Sequence, residues 1–166
     1  MARATLSQTG GPIVTVGGLV TAPNRPAHNA DRDGFFKHHN LEFSSAHAFS
    51  ASSLASLPLS QIKAMTKQIG RADFTGPALL DVMAAASVSS QATTLRLVAL
   101  DGFAVDLPVK EARDGGWILA TSANGAAFGI GDFAPVWLIR AYEGEGAPPD
   151  EEEQKWVWSV FYIEAS

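Results

Sequence analysis

The chain has no cysteine in its 166 residues. That absence removes disulfides, thiolate–metal bonds and a cysteine nucleophile together. It does not fix the compartment, since cysteine-free proteins occur in cytoplasm and periplasm alike. Basic tracts are also missing, and no Lys/Arg stripe is interleaved with aromatics, so nucleic acid is not an expected partner. No apolar run approaches the roughly 20 residues that a helix needs to cross a bilayer, so no membrane partner is expected either. Charged residues are sparse at 17% against 46% hydrophobic, with a net charge of -5. This is the composition of a globular chain that buries a core.

The opening MARATLSQTGG has one Arg with no apolar segment behind it and does not read as a signal peptide. A mature chain whose leader had been replaced by Met would look the same. Residues 1–11 are small and polar and are expected to be a flexible N-terminus, with residues 12–166 a single domain. Ile13 to Thr21 reads as the first strand, stopped by Pro23. APNRPAHNADRDG then forms a long loop of the functional or mobile kind, its far end pinned by Phe35 and Phe36. Leu41, Phe43, Ser45, His47 and Phe49 alternate onto one face of a second strand.

SSLASLP reads as a short helix ended at Pro58, and LSQIKAMTKQI as a strand. FTGPALLDVMAAASV is the clearest helix, with Pro77 at the first helical position and Leu79, Met83 and Ala86 as its apolar stripe. TTLRLVAL and FAVDLPV form a hairpin about Asp101-Gly102, a pair suited to a type I′ turn, and Asn124-Gly125 marks another reversal. PVWLIRAY is apolar on both faces, as a central strand would be. An acidic loop, EGEGAPPDEEEQK, separates it from a last strand, WVWSVFYIEA. The fold class is therefore α+β: β-rich mixed sheets with short flanking helices.

The order of these pieces carries a resemblance. SLASLPLSQI, FTGPALLDVMAAASV and TTLRLVALDGFAVDLPVKEA, followed by GWILATSANGAAFGIGDFAPVWLIRAY and WVWSVFYIEA, resemble the molybdopterin-binding domain of sulfite-oxidase-type oxidoreductases. The resemblance covers roughly residues 41–165. It implies that family's fold, molybdopterin as the first ligand to test, and the periplasm, where many relatives work. It also exposes a departure. The family places a metal-ligating cysteine after the strand that follows the Leu-Pro turn, and here IKAMTKQIGRADF offers Thr66, Lys67 and Gln68 with no sulfur but Met65. The family's glycine-asparagine-arginine-rich loop is missing as well. A thioether does not replace a thiolate on an oxidised metal, so no molybdenum is expected.

Other candidates divide between chemistry and scaffold. His38 and His39 are neighbours that face apart and read as surface polar residues. His47, on an apolar strand face, reads as a satisfied, partly buried histidine. The G-x-G step in GAAFGIGDF lacks the strand-to-helix context of a phosphate loop. Asp150, Glu151, Glu152 and Glu153 lack the spacing of a calcium loop and read as a solvated acidic loop. Arg140 shares a strand face with Val136 and Leu138, where an unpaired charge is costly, so it either pairs with a carboxylate or enters an anion pocket. The candidate ligand-binding set is Lys67, Arg71, Arg140 and Tyr142, with no catalytic or metal residue among them.

Three functions follow. The first is a non-catalytic or altered relative that holds a pterin-like or other small anionic ligand. The second is a cofactor-free module that binds a protein partner. The third is an active oxidoreductase whose metal is held by the cofactor's dithiolene alone.

Overall fold

The computed structural model describes residues 10–166. Most of the expected flexible N-terminus, residues 1–9, therefore lies outside the described residues. In chain order the elements are β1 (Pro12–Gly18), α1 (Gly34–His38), β2 (Ala46–Ser50), α2 (Ala51–Ala55), β3 (Leu59–Thr66), β4 (Gly70–Pro77), α3 (Leu79–Ala85) and β5 (Thr94–Ala99). They continue with β6 (Ala104–Pro108), α4 (Val109–Asp114), β7 (Ile118–Ala120), β8 (Ser122–Ala123), β9 (Ala126–Ala127), β10 (Trp137–Ile139), α5 (Asp150–Glu153) and β11 (Val160–Ala165).

Three sheets carry the fold. The largest has the order β2-β1-β11-β5-β6, with β1 and β11 parallel and the other neighbours antiparallel. A second runs β3-β4-β8-β9, and β10 pairs with β7 in a two-stranded ribbon. β11 is the middle strand of the large sheet and is buried on both faces. Ile163 and Ala165 face the main core, while Phe161 and Tyr162 join a smaller cluster with Phe36, Phe43 and Val98. A register shift between Val160 and Tyr162 accompanies this, since a bulge lets two successive side chains serve one face.

The main core gathers Leu54, Phe74, Leu79, Val82, Leu95, Leu97, Leu119 and Trp137, each at most 1% exposed. It joins the second sheet and the ribbon to the large sheet. Gly76 allows the closest of these approaches: a Cβ there would collide with the Leu119 carbonyl of β7. α2 begins on a capping box, in which Ser50 accepts from Ser53 N–H and the Ser53 hydroxyl answers the Ser50 N–H.

Several local expectations are corrected. Pro77 ends β4 instead of opening a helix, because the ladder with β3 runs on to the pair Leu59–Pro77. The helix starts two residues later and buries Leu79, Val82 and Met83. β1 stops at Gly18, which has φ 82°, short of Pro23. Only Ala46–Ser50 of the alternating run is strand. The backbone before it is used by the long loop, with His28 N–H donating to Phe43 C=O.

The β5–β6 turn is not type I′. Gly102 N–H donates to Ala99 C=O, Ala99 N–H to Phe103 C=O, and only Gly102 has positive φ, at 89°. That is a three-residue loop with a glycine bulge. Asn124 and Gly125 do both take positive φ, 49° and 79°, between β8 and β9, as the two-residue turn requires. PVWLIRAY contributes only three strand residues. Its burial comes from β7 on one edge and the Val157 carbonyl, accepting from Leu138 N–H, on the other.

Candidate functional site

β3 and β4 meet in a tight turn closed by the pair Thr66–Gly70. Alternation along β3 turns Ala64 and Thr66 inward. The Thr66 hydroxyl accepts from Ile69 N–H at 3.1 Å and donates to Gly70 C=O at 3.4 Å, so the turn itself consumes it. Lys67 points the other way. Its ammonium lies 2.6 Å from Asp150 Oδ1 and 2.7 Å from Glu153 Oε2, and its N–H donates to Glu153 Oε1 at 3.3 Å. Hydrogen bonds to Asp150 first and Glu153 second hold the ammonium above its ordinary pKa, and the same contact holds Asp150 below the usual carboxylate range.

The acidic stretch is thus not a solvated loop. Asp150–Glu153 is a single helical turn with Pro149 as its N-cap. Three of its four acids divide between two cations. Glu152 faces Arg140, accepting from Nε at 2.5 Å and from Nη2 at 2.6 Å in a bidentate fork. Glu152 also accepts from Trp156 Nε1 at 3.1 Å, one helical turn on. The Arg140 guanidinium stands 4.7 Å from the centre of the Trp117 ring. Its hydrogen bond to Glu152 raises the Arg140 pKa, and the same bond outweighs burial to keep Glu152 low. Beyond β10, Tyr142 N–H donates to Lys63 C=O, its ring meets Trp156 edge-on, and Arg71 Nη2 donates to Gly144 C=O at 2.7 Å.

A pocket of about 420 Å³ opens where the β3–β4 turn, the β5–β6 turn and the segment from α5 to β11 converge. Lys67, Asp101, Asp150 and Glu153 are its ionisable lining, and Phe103, Trp137, Trp156 and Trp158 its aromatic lining. Of the four sequence-predicted residues, Lys67 lines this pocket. Arg71 and Tyr142 lie together around Gly144, and Arg140 is turned to Glu152, all three outside the lining. Sequence reasoning missed the tryptophans and the two paired acids. The available signal was spacing: Asp150 and Glu153 are three apart and so share a helix face, and Trp156 follows Glu152 by four, just past the helix end.

The histidines do not assemble. Among the described residues no three His, Asp or Glu side chains are grouped as a metal site. His47 is partly buried and 3.2 Å from Asn24 Nδ2, and burial lowers its pKa. No helix of the described residues is long and apolar enough to cross a membrane.

Mixed sheets, few short helices and this β-rich topology define an α+β domain of the sulfite-oxidase type. The chain belongs to the oxidoreductase molybdopterin binding domain family, which matches residues 36–139, more than half of its length. Among solved structures, the sulfane dehydrogenase SoxCD of Paracoccus pantotrophus has a TM-score of 0.64 at 16% identity. That match covers 92% of this chain and 37% of the matched SoxCD chain, so this chain spans little more than a third of that chain's length. At this identity the likeness is one of fold. No curated protein matches the chain.

The family's cofactor, molybdopterin, is a phosphorylated dithiolene that presents anionic groups and a metal. The residues here do not fit it. No thiolate is available, and the hydroxyl of Thr66 is turned into its own backbone. Among the described residues one cation, Lys67, lines the pocket, and it is paired with both Asp150 and Glu153.

Proposed function

We propose that this domain is a non-catalytic member of its family, a binding module that works without molybdopterin. The observation that carries the reading is the charge of the pocket: among the described residues Lys67 is the one cation in its lining, set against Asp101, Asp150 and Glu153, which is the wrong sign for a phosphate. The missing thiolate at the β3–β4 turn supports it from the side of the metal. Arg71, Arg140 and Tyr142 lie outside this pocket's lining, and the reading does not use them as holders of an anionic ligand. An oxidoreductase relying on the dithiolene alone would still need that anion to be held. The test is to express the chain in a host that makes the cofactor, then measure molybdenum by elemental analysis and released pterin by its fluorescence. Neither is expected. About one molybdenum or one pterin per chain overturns the proposal.

A protein partner is a second reading, favoured by one observation. Phe103 and Trp158, both lining the pocket, are 51% and 37% exposed and offer aromatic surface at its mouth. Loss of a captured partner on Phe103→Ser with the fold intact would support it.

A further inference from the structure

The pocket's chemistry names the class of ligand it suits. Four aromatic residues line it: Trp137 and Trp156 as buried floor, at 1% and 4% exposure, and Phe103 and Trp158 as exposed lips. The indole N–H groups of the floor are already satisfied, Trp137 Nε1 by the Trp156 carbonyl at 3.2 Å and Trp156 Nε1 by Glu152. The floor therefore asks for no polar partner from a ligand. The ionisable lining is one ammonium against three carboxylates, and the Lys67 charge is shared between Asp150 and Glu153. Asp101, on the opposite turn, accepts from Phe103 N–H at 2.9 Å and has no ion-pair partner among the described residues. A cavity with aromatic lining and an excess of negative charge attracts positive charge on an apolar body, because the ring quadrupoles and the carboxylates act with the same sign.

We infer that this pocket is a binding site for a small organic cation, an alkyl or aryl ammonium whose apolar body lies among the tryptophans and whose charge faces Asp101, Asp150 and Glu153. The inference rests on the reading of the domain as a binding module without molybdopterin. It goes further by reversing the sign of the ligand that the family would suggest. Lys67 then acts as an internal counterion that the ligand replaces in part.

The test uses the full chain and three probes of similar size: benzyltrimethylammonium, benzyl alcohol and benzenesulfonate. Tryptophan fluorescence and calorimetry read binding. The cation is expected to saturate one site at least about tenfold more tightly than the neutral or anionic probe. Asp101→Asn, which keeps the acceptor oxygen of the turn, should weaken the cation several-fold. Lys67→Gln should tighten it several-fold, an effect that general destabilisation does not produce. Circular dichroism checks that both variants fold. Equal or tighter binding of the anion, no saturation by the cation, or weaker cation binding in Lys67→Gln each overturns the inference. Molybdenum and pterin are measured on the same preparation. Failure of the cation to bind without cofactor sinks this inference alone, whereas stoichiometric cofactor sinks the reading beneath it.

Discussion

The two faces of α5 hold cations in opposite ways. On one face Glu152 grips Arg140 through two parallel hydrogen bonds, with both side chains under a third exposed and a tryptophan ring beneath the guanidinium. On the other, Lys67 is 52% exposed and bridges Asp150 and Glu153 from across a hairpin turn. The inner pair has a planar fork, partial desolvation and a third donor from Trp156, so removing one partner strands the other. The outer cluster is a point charge set between an exposed acid, Asp150, and an enclosed one, Glu153, with the ammonium itself half in water, where attraction is screened and ordering the long side chain offsets much of it. A single turn of helix thus fastens the C-terminal segment with one side and sets the charge of a pocket with the other.

The largest test of that contrast is Glu152→Ala. It leaves Arg140 half-buried and unpaired, and a loss of roughly 2–3 kcal/mol is expected, below the roughly 3–5 kcal/mol of fully buried pairs. Chemical denaturation reads it, and a loss under about 0.5 kcal/mol would put the inner pair in the surface class.

Acid titration probes the same pair. Glu152 has its pKa lowered in the folded state by the hydrogen bond to Arg140. Its contribution is fully present above the unfolded carboxylate pKa of about 4.3 and is lost as pH falls through the lower folded value. Stability of the wild type should therefore fall more steeply below that range than stability of Glu152→Gln. Parallel curves would show that other groups govern the acid limb.

Across the pocket, Gly102 at φ 89° holds the turn that carries Asp101. Gly102→Val should cost about 1–3 kcal/mol through backbone strain. An unchanged midpoint and slope would refute the turn geometry. The smallest effect is expected at Lys67→Met, whose influence on the unfolding midpoint should vanish at about 1 M salt, where the screening length is about 3 Å. An effect that persists there would mean the outer cluster is structural after all.

Much of the fold was legible from the chain. Asn124-Gly125 encodes its geometry locally, through φ preference. Pro77 misled because its missing N–H suits a helix start and a strand end equally, and only the β3 ladder decided between them. The site was less legible. Arg140 was recognisable as a charge needing an answer, but whether that answer was a ligand or a carboxylate depended on where residue 152 came to rest.

By itself the sequence determined that no thiolate exists, that the chain is β-rich with few helices, and that its segments follow the order of the molybdopterin-binding domain. These follow from composition, periodicity and turn chemistry, which act over a few residues. Only the tertiary structure decided that Lys67 meets residues more than eighty positions away, that Arg140 is spoken for, and that tryptophans from two segments line one cavity. Such contacts are set by how sheets stack and where a loop returns, and no local spacing in the chain records them.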